Sequence, residues 1–339
     1  MTASPSTQKT PRRYDWVDYA KGIAIFLVVY RHSFEGLKRA GLDTAHFMGL
    51  EYANILFFSF RMPLFFIVSG MFLSSSLAKR GLNTFIGQKA KTILYPYFLW
   101  GGLQISVQIL LSGVVNASRS AEDYLLLLYD PKGVDQFWYL YALFNVTALY
   151  AIIKIYGRFS VIYQAGLGIA LYYLSAFATR QGWDLYFIHD VLHYYIFIAL
   201  GDWVASYFRE EKNIPFLSSF RLFFFILPVF VLAQSYFLFT NLRHDPEAYH
   251  FVEDYQPSLF LLIALAGCAF MIVISFILQR FHTAAWLRII GFHSLYIYVS
   301  HVFITSTVRI VLTKAGISYP PLLFLLCILS GVLIPVAFY

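Results

Sequence analysis

"DYAKGIAIFLVVYRHSFEGL", residues 18–37, is apolar enough through its middle to lie in a bilayer, yet it carries Asp18 and Lys21 near one end and Arg31, His32 and Glu35 near the other. A helix turns about 100° per residue, so Lys21 and His32 return to nearly one face, roughly 16 Å apart along the axis. Ionisable groups inside a span are costly and ordinarily look into an interior cavity, so two on one face point to a lined site. Glu35 lies three residues past His32, where it can hold one imidazole nitrogen and set the tautomer. Arg31 points to another face. A plainer alternative stays open, in which Lys21 pairs with Asp18 while His32, Arg31 and Glu35 mark the membrane boundary.

The rest of the chain fits that setting. Its 339 residues are 59% hydrophobic, 20% aromatic and only 13% charged, which excludes a soluble domain of this length. Apolar stretches of helix-spanning length recur with short polar breaks. They predict an all-α polytopic membrane protein with about ten transmembrane helices, at residues 15–34, 52–74, 91–112, 136–156, 160–179, 189–208, 221–240, 257–279, 289–312 and 320–339. The polar "MTASPSTQKTPRR", residues 1–13, reads as a disordered cytoplasmic tail without a signal-peptide cleavage site, and residues 14–339 as one transmembrane domain.

Lys and Arg gather in the loops that face the cytoplasm if the amino terminus does, while the opposite loops carry most of the acids, which places both termini inside. The formal charge of +7 is dispersed rather than patched, so no nucleic-acid partner is implied. Cys268 and Cys327 sit in apolar runs and read as buried small hydrophobes, with no metal or disulfide site. Neither a fixed-period repeat nor an inverted pair of Gly/Pro-broken helices, the usual pointer to a transporter core, is present.

"WVDYAKGIAIFLVVYRH", residues 16–32, resembles the opening of membrane-bound acyltransferase family 3, in which a basic residue, ten residues and a histidine mark the first helix. The wider family commonly has arginine where Lys21 stands; lysine is familiar in its fucose 4-O-acetylase-like subgroup. "FRMPLFFIVSGMFL" (60–73) resembles the family's second helix, with Arg61 where that subgroup often has histidine. "KAKTILYPYFLW" (89–100) resembles the basic opening of the third, with Lys89 and Lys91 replacing arginines, and "FWYLYALF" (137–144) and "GFHSLYIYVSH" (291–301) resemble the fourth and ninth segments.

The resemblance implies transfer of an acetyl group from acetyl-CoA, without a metal, to a hydroxyl of a surface polysaccharide or its lipid-linked precursor in a bacterial inner membrane. His32 is then the general base, oriented by Glu35, and Arg61 stabilises the oxyanion. Lys21, Lys89 and Lys91 suit the phosphates of coenzyme A, although Lys89 and Lys91 serve equally as membrane anchors. Ser294, Tyr298 and His301 share one helical face, either as a hydrogen-bond ladder or as part of the substrate wall. Trp138 and Tyr139 are expected at the outer mouth, as interface-belt aromatics or as a platform for the sugar. Asn116 and Asn145 open N-x-[ST] matches of little weight. The competing functions are a flippase of lipid-linked sugar and a structural subunit of a polysaccharide export complex.

Overall fold

The computed structural model describes residues 14–111 and 119–338, so the tail 1–13 and Asn116 lie outside the described residues. Within them the chain is helical, with no strand. Ten long helices stand at the ten expected places: α1 Asp15–Arg39, α2 Phe58–Gly70, α3 Tyr95–Leu110, α4 Trp138–Tyr156, α5 Val161–Arg180, α6 Phe187–Arg209, α7 Phe220–His244, α8 Pro257–Phe281, α9 Ser294–Lys314 and α10 Pro320–Ala337.

With their flanking turns, α2 to α5 and α7 to α10 make up the eight described segments long and apolar enough to cross a membrane. The remaining two are too polar. α1 carries Asp15, Asp18, Lys21, Arg31, Glu35, Lys38 and Arg39, and α6 carries Asp190, Asp202 and Arg209 beside His189 and His193. Both are inner helices, with 14 of the 25 residues of α1 buried. α1 packs against α2, α8, α9, α10 and the short helix Ala285–Phe292, and α6 against α2, α4 and α5. The outer helices turn large apolar side chains outward, such as Phe224, Phe225, Leu232 and Phe239 on α7, as lipid-facing surface requires.

Three predicted helices are interrupted. The second divides into Met48–Leu56, α2 and Leu73–Arg80. The third begins in a π-helical turn, Ala90–Leu94, just before Pro96, and the ninth breaks at His293 between Ala285–Phe292 and α9. Hydropathy has no periodic marker for such breaks, so apolar runs read as continuous.

Two close crossings fix the inner helices. A Cβ on Gly22 would lie 2.0 Å from the carbonyl oxygen of Leu287, and one on Gly291 only 1.7 Å from that of Asp18, so α1 and Ala285–Phe292 touch backbone to backbone. Gly70 and Gly201 do the same for α2 and α6, with hypothetical Cβ atoms 2.3 Å from the Ile198 oxygen and 2.2 Å from that of Ile67. Small residues of this kind let membrane helices approach closely enough for dispersion to hold them.

Candidate functional site

The C-terminal half of α1, α2, α3, α9 and the loops at that end of the bundle enclose a cavity of about 590 Å³. His32 lines it. Its ring lies 5.2 Å from that of His301 on α9, centroid to centroid. His301 is fully buried, and its Nδ1 stands 2.9 Å from the Ile297 carbonyl and 2.8 Å from that of Tyr298. Carbonyls only accept, so Nδ1 bears the proton of the neutral ring and Nε2 is a bare acceptor. That Nε2 is buried with no hydrogen-bond partner among the described residues.

Arg61 lines the same cavity at 2% exposure. Its Nη1 donates to Asn54 Oδ1 at 3.2 Å and to the Leu27 carbonyl at 3.4 Å, and the guanidinium lies 5.4 Å over the Phe58 ring. Pro63 sits inside α2, where its missing N–H frees a backbone carbonyl one turn earlier, at Ser59. Behind Arg61, Ser59 donates to Gln234 and Gln234 to the Ile263 carbonyl, tying α2 to α7 and α8.

Glu35 lines the cavity but pairs with Arg31, Oε1 to Nε at 2.7 Å, and not with His32. Arg31, expected on another face, also reaches the cavity and lies 4.8 Å over Phe58. The i,i+4 spacing favours this ion pair over an i,i+3 contact to a neutral ring. The neighbour of His32 is instead His301, which the sequence reading left between ladder and substrate wall.

Trp138 and Tyr298 are on the cavity wall. Tyr139 is buried in ring contact with Phe65, Phe66 and Tyr298 rather than at a mouth. Tyr298 donates to the Gln136 carbonyl. Lys21, Lys89 and Lys91 are absent from the wall. Lys21 is half-buried and engaged within the protein, Lys89 lies 5.8 Å over the Phe85 ring, and Lys91 is exposed within the π turn. Lys21 and His32 therefore share a helix but not a chamber.

Residues that sequence reasoning passed over complete the wall. Lys132 pairs with buried Asp190 at 2.8 Å and lies 5.7 Å over the Trp138 ring. Glu253 stands 3.5 Å from His193 and 3.1 Å from His250. Burial alone would raise the Glu253 carboxyl, but the hydrogen bond to His250 and the charges of His193, His250 and Lys132 hold it down at about 2. Asp135 has φ 56°, an uncommon conformation for a non-glycine residue. It is held by Arg39 at 3.4 Å, Arg119 at 3.9 Å and Gln104 at 3.2 Å. A signal existed for Asp190 and His193, ionisable residues inside an apolar run. Glu253, His250, Lys132 and Asp135 come from connecting segments and had none. Among the described residues, no group of three or more His, Cys, Asp or Glu side chains is placed to hold a metal ion.

A helical membrane protein with a charged chamber around two facing histidines is the class that fold and site define. The chain belongs to the acyltransferase domain family called acyltransferase 3, whose profile matches residues 14–339. It is 29% identical over 144 residues to nodulation protein NolL of Mesorhizobium japonicum, covering 42% of this chain and 37% of that one. To NolL of Sinorhizobium fredii it is 25% identical over 260 residues, 74% of this chain and 64% of the relative. The matches thus span less than two thirds of either relative's length. No solved structure matches.

Proposed function

We propose that this membrane acyltransferase moves an acetyl group from acetyl-CoA to a sugar hydroxyl of a polysaccharide or its lipid-linked precursor, with His32 as general base. The observation that carries the proposal is the placement of His32 and Arg61 on one cavity, with the His32 ring against a histidine whose buried Nε2 has no hydrogen-bond partner among the described residues. A sugar hydroxyl is a weak nucleophile at neutral pH, and an imidazole suits the removal of its proton. As that proton passes to His32, the hydroxyl oxygen attacks the thioester carbonyl and forms a tetrahedral oxyanion. The Arg61 guanidinium, already desolvated and anchored on Asn54, offers unused N–H groups to it. Collapse breaks the carbon–sulfur bond, and the imidazolium returns the proton to the departing thiolate.

His301 takes the positioning part first given to Glu35. With its Nδ1 proton committed to two backbone carbonyls, its Nε2 can accept from the His32 N–H and stabilise the imidazolium. Trp138 and Tyr298 offer the sugar an aromatic face. The nucleotide of the donor is assigned to the opposite end, at Lys21, Lys89 and Lys91, with both chain termini cytoplasmic, and the acyl arm reaches the chamber along α1.

The test is transfer of label from acetyl-CoA to glycan in membranes that hold the parent or His32→Ala. Transfer by the parent alone supports the proposal; equal transfer by both removes His32 as the base. A parent that labels no glycan yet moves lipid-linked sugar without acetyl-CoA would make it a flippase.

A further inference from the structure

We propose that the part of the chamber around Arg309 binds a phosphoryl group, as a phosphate ester or diphosphate, carried by one of the substrates. Arg309, on α9 two turns beyond His301, lines the cavity at 9% exposure. Among the described residues it has no ion-pair or hydrogen-bond partner. Its Nε lies 3.8 Å from the position of a Cβ on Gly36 of α1, an ordinary contact distance that places the guanidinium beside α1.

The other cavity cations are largely committed. Arg31 has Glu35, Lys132 has Asp190, and Arg39 and Arg119 share Asp135, with Asp123 4.0 Å from Arg119. Glu253 is held by His193 and His250. Arg309 remains, without a carboxylate partner among the described residues. A largely buried cation of this kind favours an anionic ligand, and a phosphate ester or diphosphate offers its guanidinium both charge and paired oxygens.

The donors nearby suit tetrahedral oxygens. Ser33, three residues before Gly36 and on the cavity wall, has a buried hydroxyl with no hydrogen-bond partner among the described residues, and Ser306 stands one turn before Arg309 on the same wall. A guanidinium fork with hydroxyls beside it is a recurrent way to hold phosphate. With the donor's nucleotide assigned to the opposite end, the phosphoryl group here belongs to a sugar carried on a phosphate or diphosphate, an assignment that competition with acetyl-CoA would reverse. That assignment rests on the acyl-transfer reading; the site itself does not.

The experiment is titration of the purified protein with inorganic pyrophosphate, read as thermal stabilisation, with sulfate at equal ionic strength as background. The parent should be stabilised, Arg309→Gln should weaken apparent binding about tenfold or more, and exposed Lys212→Ala should leave it unchanged. No stabilisation of the parent, or equal binding by Arg309→Gln, overturns the proposal. If Arg309→Gln does not fold, Arg309→Lys carries the test: it keeps the charge but loses the fork, and undiminished binding again overturns it. Competition between pyrophosphate and acetyl-CoA assigns the site to the donor, whereas simultaneous binding assigns it to the acceptor. A parent that binds pyrophosphate through Arg309 but transfers no acetyl group sinks the acyl-transfer proposal alone. Transfer without Arg309-dependent binding sinks only the present one.

Discussion

Replacing Gly291 by alanine sets the packing of α1 directly against function. The new Cβ would fall 1.7 Å from the Asp18 carbonyl oxygen, 2.6 Å from its carbon and 2.8 Å from the Gly22 nitrogen. All three atoms are backbone, so no rotamer change relieves the clash. Carbon–oxygen contacts normally close at about 3.3 Å, so α1 and Ala285–Phe292 must part by roughly 1.5 Å. Overpacking usually costs about 1–3 kcal/mol, and an unyielding neighbour puts this change near ~3 kcal/mol. Alanine's better helix propensity returns only about 0.5–1 kcal/mol. The net loss of ~2 kcal/mol or more corresponds to a fall in melting temperature of roughly 3 °C or more for a chain of this length.

Ala285–Phe292 leads directly into α9, so the same displacement moves His301 away from His32, now 5.2 Å apart. Acyl transfer should fall further than the folded fraction does. The assay is thermal unfolding in detergent beside transfer from labelled acetyl-CoA, with Gly166→Ala on α5 as the control, where a Cβ meets nothing within 4 Å. If Gly291→Ala melts within about a degree of that control and transfers at the parental rate, the backbone contact described here is wrong.

Three further outcomes are expected. Lys154→Met leaves the Asp202 carboxylate, 3% exposed and bonded to Ser74 and Tyr150, without its cation 2.7 Å away; stability should drop by about 3–5 kcal/mol and largely return in Lys154→Met with Asp202→Asn, measured by thermal unfolding. In the His250–Glu253 pair, burial works against the His250 charge but Glu253 and Asp254 raise its pKa above 6.5, so its contribution is complete below pH 6.5 and lost as pH rises through the folded value. Glu253, held down at about 2, contributes above its ordinary 4.5 and loses that as pH falls toward 2, so a stability profile highest between 4.5 and 6.5 should flatten in Glu253→Gln. His301→Ala should lower kcat about 10- to 100-fold with little change in KM, and a change confined to KM would make His301 a substrate contact instead.

Much of the frame was legible because hydropathy and helix length report it directly: all ten long helices stand where the apolar runs are. His32 was legible because a histidine is costly in a span. Its true neighbour was not, since helical spacing names candidates on one helix, and His301 is 269 positions away on another. Spacing also offered Glu35 to His32 without weighing Arg31, four residues before Glu35, which wins by charge. Lys132, Asp135, His250 and Glu253 reach the chamber from connecting segments, where hydropathy distinguishes a loop that folds inward from one that faces water only by tertiary context.

The polarity of α1 has a consequence for how the protein is made. A leading segment that carries seven Asp, Glu, Lys and Arg side chains partitions weakly into lipid on its own. Four of the helices that shelter it, α8, Ala285–Phe292, α9 and α10, all come after residue 256 of the chain. The chamber that His32 and Arg309 both line can therefore form only after the ribosome has delivered α9. A nascent chain halted before α8 should leave α1 extractable from the bilayer by alkaline carbonate, whereas the full chain should not. The catalytic chamber of this protein is thus built from segments that leave the ribosome far apart in time.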